Sequence, residues 1–212
     1  DRTRLRTDPE DQGVFVRSMA ARDRLGGLAA DTVKARTLLA ALFDVVLIET
    51  VGVGQSETDV EGAVDTVLFC VQPGAGDSLQ FMKAGIAEIP DVVCVTKADM
   101  GAVVRRTVID AKGALSLNER IEDWRPPVLS ASAETGEGVE ALIEALDGHW
   151  AWLGEGDRLA RRRNDQARGW LANMIRERWG REGLKKAMPL VLAEGRSPFG
   201  EIDVLTAHLS AC

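Results

Sequence analysis

The sequence predicts an α/β fold: a mostly parallel sheet flanked by helices, followed by a C-terminal helical extension. Three observations predict it. Short apolar runs rich in β-branched residues recur at Val45–Ile48, Thr66–Val71, Val92–Val95 and from Pro127, apolar at consecutive positions as strands buried on both faces require. Stretches of helical spacing separate them, so successive strands are joined by crossovers and run parallel. Beyond Gly154 and Gly156 the pattern becomes long, charged and helical in period.

Taken in order, residues 1–24 are polar, with six arginines (2, 4, 6, 17, 22 and 24) among acids, and form a solvated or anion-facing loop with a short helix or strand around Val14–Met19. Asp31 caps a helix running to Leu42, with Val33, Leu38, Leu39 and Leu42 at helical spacing. It leads into the strand of FDVVLIETVGVGQSE (Phe43–Glu57), which stops at Glu49. Gly52 and Gly54 follow, where backbone can approach a ligand closely. Thr66–Val71 is the second strand, Gln72–Asp77 a Gly/Pro loop, and Ser78–Glu88 a helix through Leu79, Met82 and Ile86. Val92–Val95 is the third strand and ends in Thr96-Lys97-Ala98-Asp99. A charged helix spans Val103–Glu119. The fourth strand starts at Pro127 and runs into SASAETGEG (Ser130–Gly138), and a helix from Val139 to about Leu153 closes the unit. In Leu159–Lys186 the stripe Leu171, Met174, Ile175 and Trp179 packs on its own domain or meets another chain; Trp170 and Trp179 favour the interface. A loop at Gly195–Gly200 and a final helix with Ile202, Leu205 and Leu209 end the chain.

Composition narrows the function. The 212 residues carry a formal charge of −7, which disfavours binding nucleic acid by general phosphate attraction. Three scattered cysteines make no disulfide framework. Cys70 and Cys94 read as small buried hydrophobes in a reduced compartment. With only His149 and His208, a histidine metal site or a Ser-His-Asp triad has little material. No apolar run reaches the length of a membrane span and no signal peptide opens the chain, so a soluble, cytoplasmic protein is expected. The start at Asp1, without methionine and inside a polar stretch, suggests a fragment.

Three strand ends carry chemistry. A carboxylate at Asp99 can accept two parallel hydrogen bonds from a guanine ring N–H and its exocyclic amine, a donor pair adenine lacks. The aliphatic stem of Lys97 can cover the base face. Ser132 and Ala133, with Gly136 and Gly138 behind them, let backbone N–H groups reach a base carbonyl. Glu49 can hold a magnesium-bound water, and the Gly52 N–H can contact a terminal phosphate and sense its loss. Alone, Glu49 is more often a solvated strand terminus; together the three ends point to a guanine nucleotide. Gln55 or Glu57 can orient a water. No general base is evident, and phosphoryl transfer does not require one.

ETVGVGQSE, followed in order by TKAD and SA, resembles the MeaB/ArgK group of P-loop GTPases, chaperones of the cobalamin-dependent methylmalonyl-CoA mutase also named lysine/arginine/ornithine transport ATPases. The resemblance runs from Asp1 through Gly148 and on toward the C-terminus. It implies that Asp1, with Arg2, Thr3 and Arg4, begins a GDRTRM segment whose aspartate lies by the magnesium. It implies that Glu49 replaces the usual aspartate before the switch glycine, and that Gly76, Asp77, Leu79, Gln80 and Lys83 belong to an extra switch that communicates with the mutase. Lys97 and Asp99 match the base-recognition motif, while Thr96 departs from its usual Asn; losing an amide able to bridge loops implies weaker nucleotide binding. The phosphate loop G-x-x-x-x-G-K-[ST] is nowhere in the sequence. Family members carry it upstream of the segment that Asp1 begins, so residues 1–153 are expected to be a partial GTPase domain, inactive by itself. Residues 154–212 are then a helical segment through which the family suggests homodimers. GTP or GDP and Mg2+ are the implied ligands. A metal- or cofactor-insertion GTPase of a neighbouring family and a non-hydrolysing interaction module stand as the alternatives.

Overall fold

The structure is a computed structural model that describes residues 8, 10, 11, 13–19, 30–50, 60–74, 88–116, 124–187 and 198–210. Two compact units divide the chain, Asp1–Val60 and Glu61–Cys212. In the first, helix α1 spans Ala30–Leu39, with Asp31 in its first turn. It stops short of Leu42: the Ala41 and Leu42 N–H groups donate three residues back, to the Leu38 and Leu39 carbonyls, which tightens the chain out of the α-helix. Residues 14–19 form neither helix nor strand.

The expected strand at Val45–Ile48 is corrected. Residues 43–50 lie in no sheet, and Val45 and Leu47 are 73% and 90% exposed. An apolar run becomes a strand only when a neighbouring ladder takes up its N–H and C=O groups, and among the described residues this run has no such neighbour.

The second unit holds a three-stranded parallel sheet in the order β1 (Leu68–Val71), β2 (Val92–Thr96), β3 (Val128–Ala131). The register sets Val71 beside Val95, Val95 beside Ser130, and Thr96 beside Ala131. Side chains alternate across a strand, so Phe69, Val71, Val93, Val95 and Val128 share one face. There they form a core with Val104, Ala111 and Ala114 of helix α2 (Ala102–Leu115). Burial of each such side chain is worth about 1.5–3 kcal/mol, which makes this layer the rigid base of the sheet. On the opposite face Cys94 is buried but Cys70 is exposed, against expectation. Cys70 lies on β1, which ends the strand order and has no further strand beside it among the described residues. Burial pushes the Cys94 thiol up from its ordinary value, the adjacent Cys70 adds to the rise, and a hydrogen bond with the Ala131 backbone opposes it.

Helix α3 (Val139–Gly154) packs on β2 and β3. After a short break at Glu155–Asp157, where Gly156 takes φ +65°, helix α4 (Arg158–Ala187) begins. It is two helices joined at a kink where Gly180 has φ 67°, ψ −164°. Leu171 and Ile175 of the apolar stripe are wholly buried against Leu205 and Leu209 of helix α5 (Pro198–Ser210). Trp170 packs edge-on to Phe199 at 4.9 Å, so it serves this internal core rather than an exposed surface; Trp150, at 50%, is an exposed tryptophan.

Candidate functional site

The three parallel strands end on one side of the sheet, where open α/β sheets bind ligands. β2 ends at Thr96, and Lys97 turns the chain with φ 57°, ψ 49°, a left-handed conformation found in no other described residue except glycines. A Cβ-bearing residue is held there at a cost of roughly 1 kcal/mol or more. Such strain clusters at functional turns. A single turn of 3-10 helix, Ala98–Met100, follows, closed by the Met100 N–H donating to the Lys97 carbonyl at 3.0 Å. Ala98 is buried beneath it while Lys97 and Asp99 are exposed. The small residue anchors the turn and the two charged side chains remain available.

Thr96 is half-buried, and its hydroxyl donates to the Val71 carbonyl at the end of β1, at 3.3 Å. The loop expected at Ser132 is closed by its own hydrogen bonds. Ser132, only 1% exposed, accepts at its Oγ from the Glu134 and Thr135 N–H groups at 3.2 and 3.3 Å. Its carbonyl accepts from Gly136 N–H at 2.9 Å, and its own N–H donates to the Glu137 carbonyl at 2.8 Å. Ala133 lies exposed at the outer edge of this turn. Since Thr96 pairs with Ala131, Lys97 and Ser132 leave from adjacent strand ends, and the two turns stand side by side.

Gly138 closes the second turn with φ +73°, and a Cβ there would overlap the Ser130 carbonyl oxygen. Gly138→Ala is therefore expected to lower stability by about 2 kcal/mol or more, read from the urea midpoint. A loss below 0.5 kcal/mol would show that the turn is more plastic than drawn.

Of the other sequence-derived positions, Glu49 lies in the first unit and is exposed. Asp1, Gly52, Gln55, Asp77, Gln80 and Lys83 fall outside the described residues. Among the described residues no three His, Cys, Asp or Glu side chains converge on a point. Magnesium in nucleotide sites is usually held by one or two carboxylates, phosphates and water rather than by a protein cage, so an exposed Glu49 fits that manner of binding.

Sequence reasoning missed a buried polar hub at the opposite, N-terminal ends of the strands. The Asp91 carboxylate accepts from the Val67 N–H at 2.8 Å and from both terminal nitrogens of Arg162 at 2.7 and 3.2 Å. Its carbonyl accepts from Trp124 Nε1 at 2.8 Å. His149 Nε2 lies 3.5 Å from Asp91 Oδ1, and Nδ1 is 2.9 Å from the Thr66 hydroxyl. The imidazole lies among Trp124 and Trp152, at 4.8 and 5.6 Å between ring centroids. Arg163 adds a bidentate pair with Asp65, whose hydrogen bond raises the guanidinium pKa further, and the Gln166 amide donates to the Glu61 and Val64 carbonyls. The first turns of α4 are thus pinned to the base of the sheet. The one local signal was Pro90-Asp91 directly before a buried run.

A family model described as Methylmalonyl Co-A mutase-associated GTPase MeaB matches residues 1–187. A Pyrococcus horikoshii protein provisionally named a GTPase is 43% identical over 168 residues, covering 77% of this chain and 52% of its own. One from Caulobacter vibrioides, also provisionally named a GTPase, is 40% identical over 196 residues, covering 91% and 60%. The mouse protein named methylmalonic aciduria type A homolog, mitochondrial, is 36% identical over 181 residues, covering 84% and 44%. The chain spans about half the length of the curated relatives it matches.

Proposed function

Because the chain belongs to the MeaB family of methylmalonyl Co-A mutase-associated GTPases, we propose that it is the guanine-reading and partner-facing part of a magnesium-dependent GTPase that chaperones a cobalamin-dependent methylmalonyl-CoA mutase. The observation that carries the reading is the strained Lys97 turn, with exposed Asp99, standing beside the Ser132 loop at neighbouring strand ends. Asp99 accepts from the guanine N1–H and 2-amino group, the Lys97 stem covers the base, and loop amides around Ala133 meet the base carbonyl. Glu49 holds a water of the magnesium ion, Asp1 is the second metal-site candidate, and Gly52 N–H senses the terminal phosphate while Gln55 orients water. Asp77, Gln80 and Lys83 relay nucleotide state to the mutase. When bound, magnesium supplies charge neutralisation at the phosphates.

The described structure has no helix long and apolar enough to cross a membrane, and free Cys70 and Cys94 fit a reducing compartment; we place the protein in the cytoplasm, as a homodimer joined through its C-terminal helices. Within the 212 residues there is no G-x-x-x-x-G-K-[ST] loop, so this chain alone should grip the base and not the phosphates. Competition against a fluorescent GDP analogue is expected to show GDP displacing it at concentrations where ADP does not, with GTP turnover at background. Equal displacement by ADP would overturn the guanine reading; magnesium-dependent turnover by these residues alone would overturn the division of labour.

A further inference from the structure

We propose that Thr96 acts as a positioning residue rather than a nucleotide ligand, tying the base-reading turn to the loop that leaves β1. The inference deepens the guanine-site reading above and rests on it. Thr96 is the last residue of β2, between the ends of β1 and β3, and its single hydroxyl proton is committed to the Val71 carbonyl. A hydroxyl has one proton to donate, so while that bond stands Thr96 offers none to a base or phosphate acceptor. What the hydrogen bond fixes is the peptide plane between Val71 and Gln72. From there Pro73 and Gly74, the latter with φ +75°, carry the chain away from the sheet. On its other side Thr96 is directly followed by the strained Lys97, so one side chain holds the first residues of two site loops in register.

The bond is long for a hydroxyl–carbonyl pair, which sets the expected effect at the low end for a hydrogen bond, about threefold in an equilibrium constant.

The test compares the full chain with Thr96→Val, which keeps the shape and removes the hydroxyl, and Thr96→Ser, which keeps the hydroxyl. Amide hydrogen exchange of Gln72 and Gly74 is measured without nucleotide, and affinity is read by titration with a fluorescent GDP analogue. The expected result is about threefold faster exchange and about threefold weaker binding in Thr96→Val, with Thr96→Ser near the parent in both. Unchanged exchange in Thr96→Val overturns the tie. Weakened nucleotide binding with unchanged exchange shows instead that Thr96 touches the nucleotide. If the parent binds no guanine nucleotide the GTPase reading fails, while the exchange arm still decides whether Thr96 holds the loop.

Discussion

Replacing Arg162 by Met is expected to destabilise the second unit by about 3–5 kcal/mol, the loss typical of removing one partner from a buried ion pair. The side chain is 17% exposed and the Asp91 carboxylate 5%. Without the guanidinium, the buried Asp91 carboxylate loses both charge-assisted bonds from Arg162, and a buried negative charge deprived of its cation is costly. The surface pair is the internal comparison. Arg163 is 52% exposed, and Arg163→Met should cost about 0–1 kcal/mol although its pairing with Asp65 is also bidentate. Neutralising both members separates charge from packing. In Asp91→Asn with Arg162→Met, the amide oxygen still accepts from Val67, so more than half of the loss should return. Urea titrations followed by tryptophan fluorescence are suitable, since Trp124 and Trp152 border the hub. If Arg162→Met proves no worse than Arg163→Met, the ion pair is far more solvated than its burial implies.

On the proposed guanine reading, Asp99→Asn is expected to weaken binding of guanine nucleotides by about 100-fold or more, because both charge-assisted bonds that reading assigns to Asp99 would be altered together. The chemistry also fixes the sign of a compensating gain. An amide offers one acceptor and one donor where the carboxylate offers two acceptors. Guanine then meets a donor with its 2-amino group, whereas xanthine presents a carbonyl at that place and accepts the bond. The variant should therefore prefer xanthosine diphosphate to GDP, the reverse of the parent. A uniform loss for both bases, or none for GDP, would remove Asp99 from base recognition. The test does not depend on hydrolysis, so it is decisive even for a chain that grips only the base.

The fold was legible where chemistry is local. β1 and β2 are consecutive apolar runs, β3 opens on one, and helical spacing fills the stretches between and after them, so their order and parallel direction followed from spacing. The run at Val45–Ile48 has the same composition and is not a strand, because a ladder is a property of two segments and one segment cannot declare its neighbour. The pairing of the Lys97 turn with the Ser132 loop was legible because Thr96, Lys97 and Asp99 lie within four residues and Ser132 follows the next strand. The hub was not. Thr66, Asp91, Trp124, His149 and Arg162 come from five separate segments, and nothing in their spacing marks them as partners. The hydroxyl bond of Thr96 was hidden for the same reason, since a threonine at a strand end gives no sign of the carbonyl it will find.

The clamping of α4 to the base of the sheet bears on where this chain can be cut. Gly154 and Gly156 invite an expression boundary just after α3. A fragment ending there would lose Arg162, Arg163 and Gln166 and keep the acids and carbonyls they satisfy. It would remove the cation from the Asp91 carboxylate, which sits directly before the strand that ends in the Lys97 turn. A boundary beyond Gln166, in the third turn of α4, keeps all three side chains, so the shortest form of the sheet that retains these contacts includes the root of the helical extension.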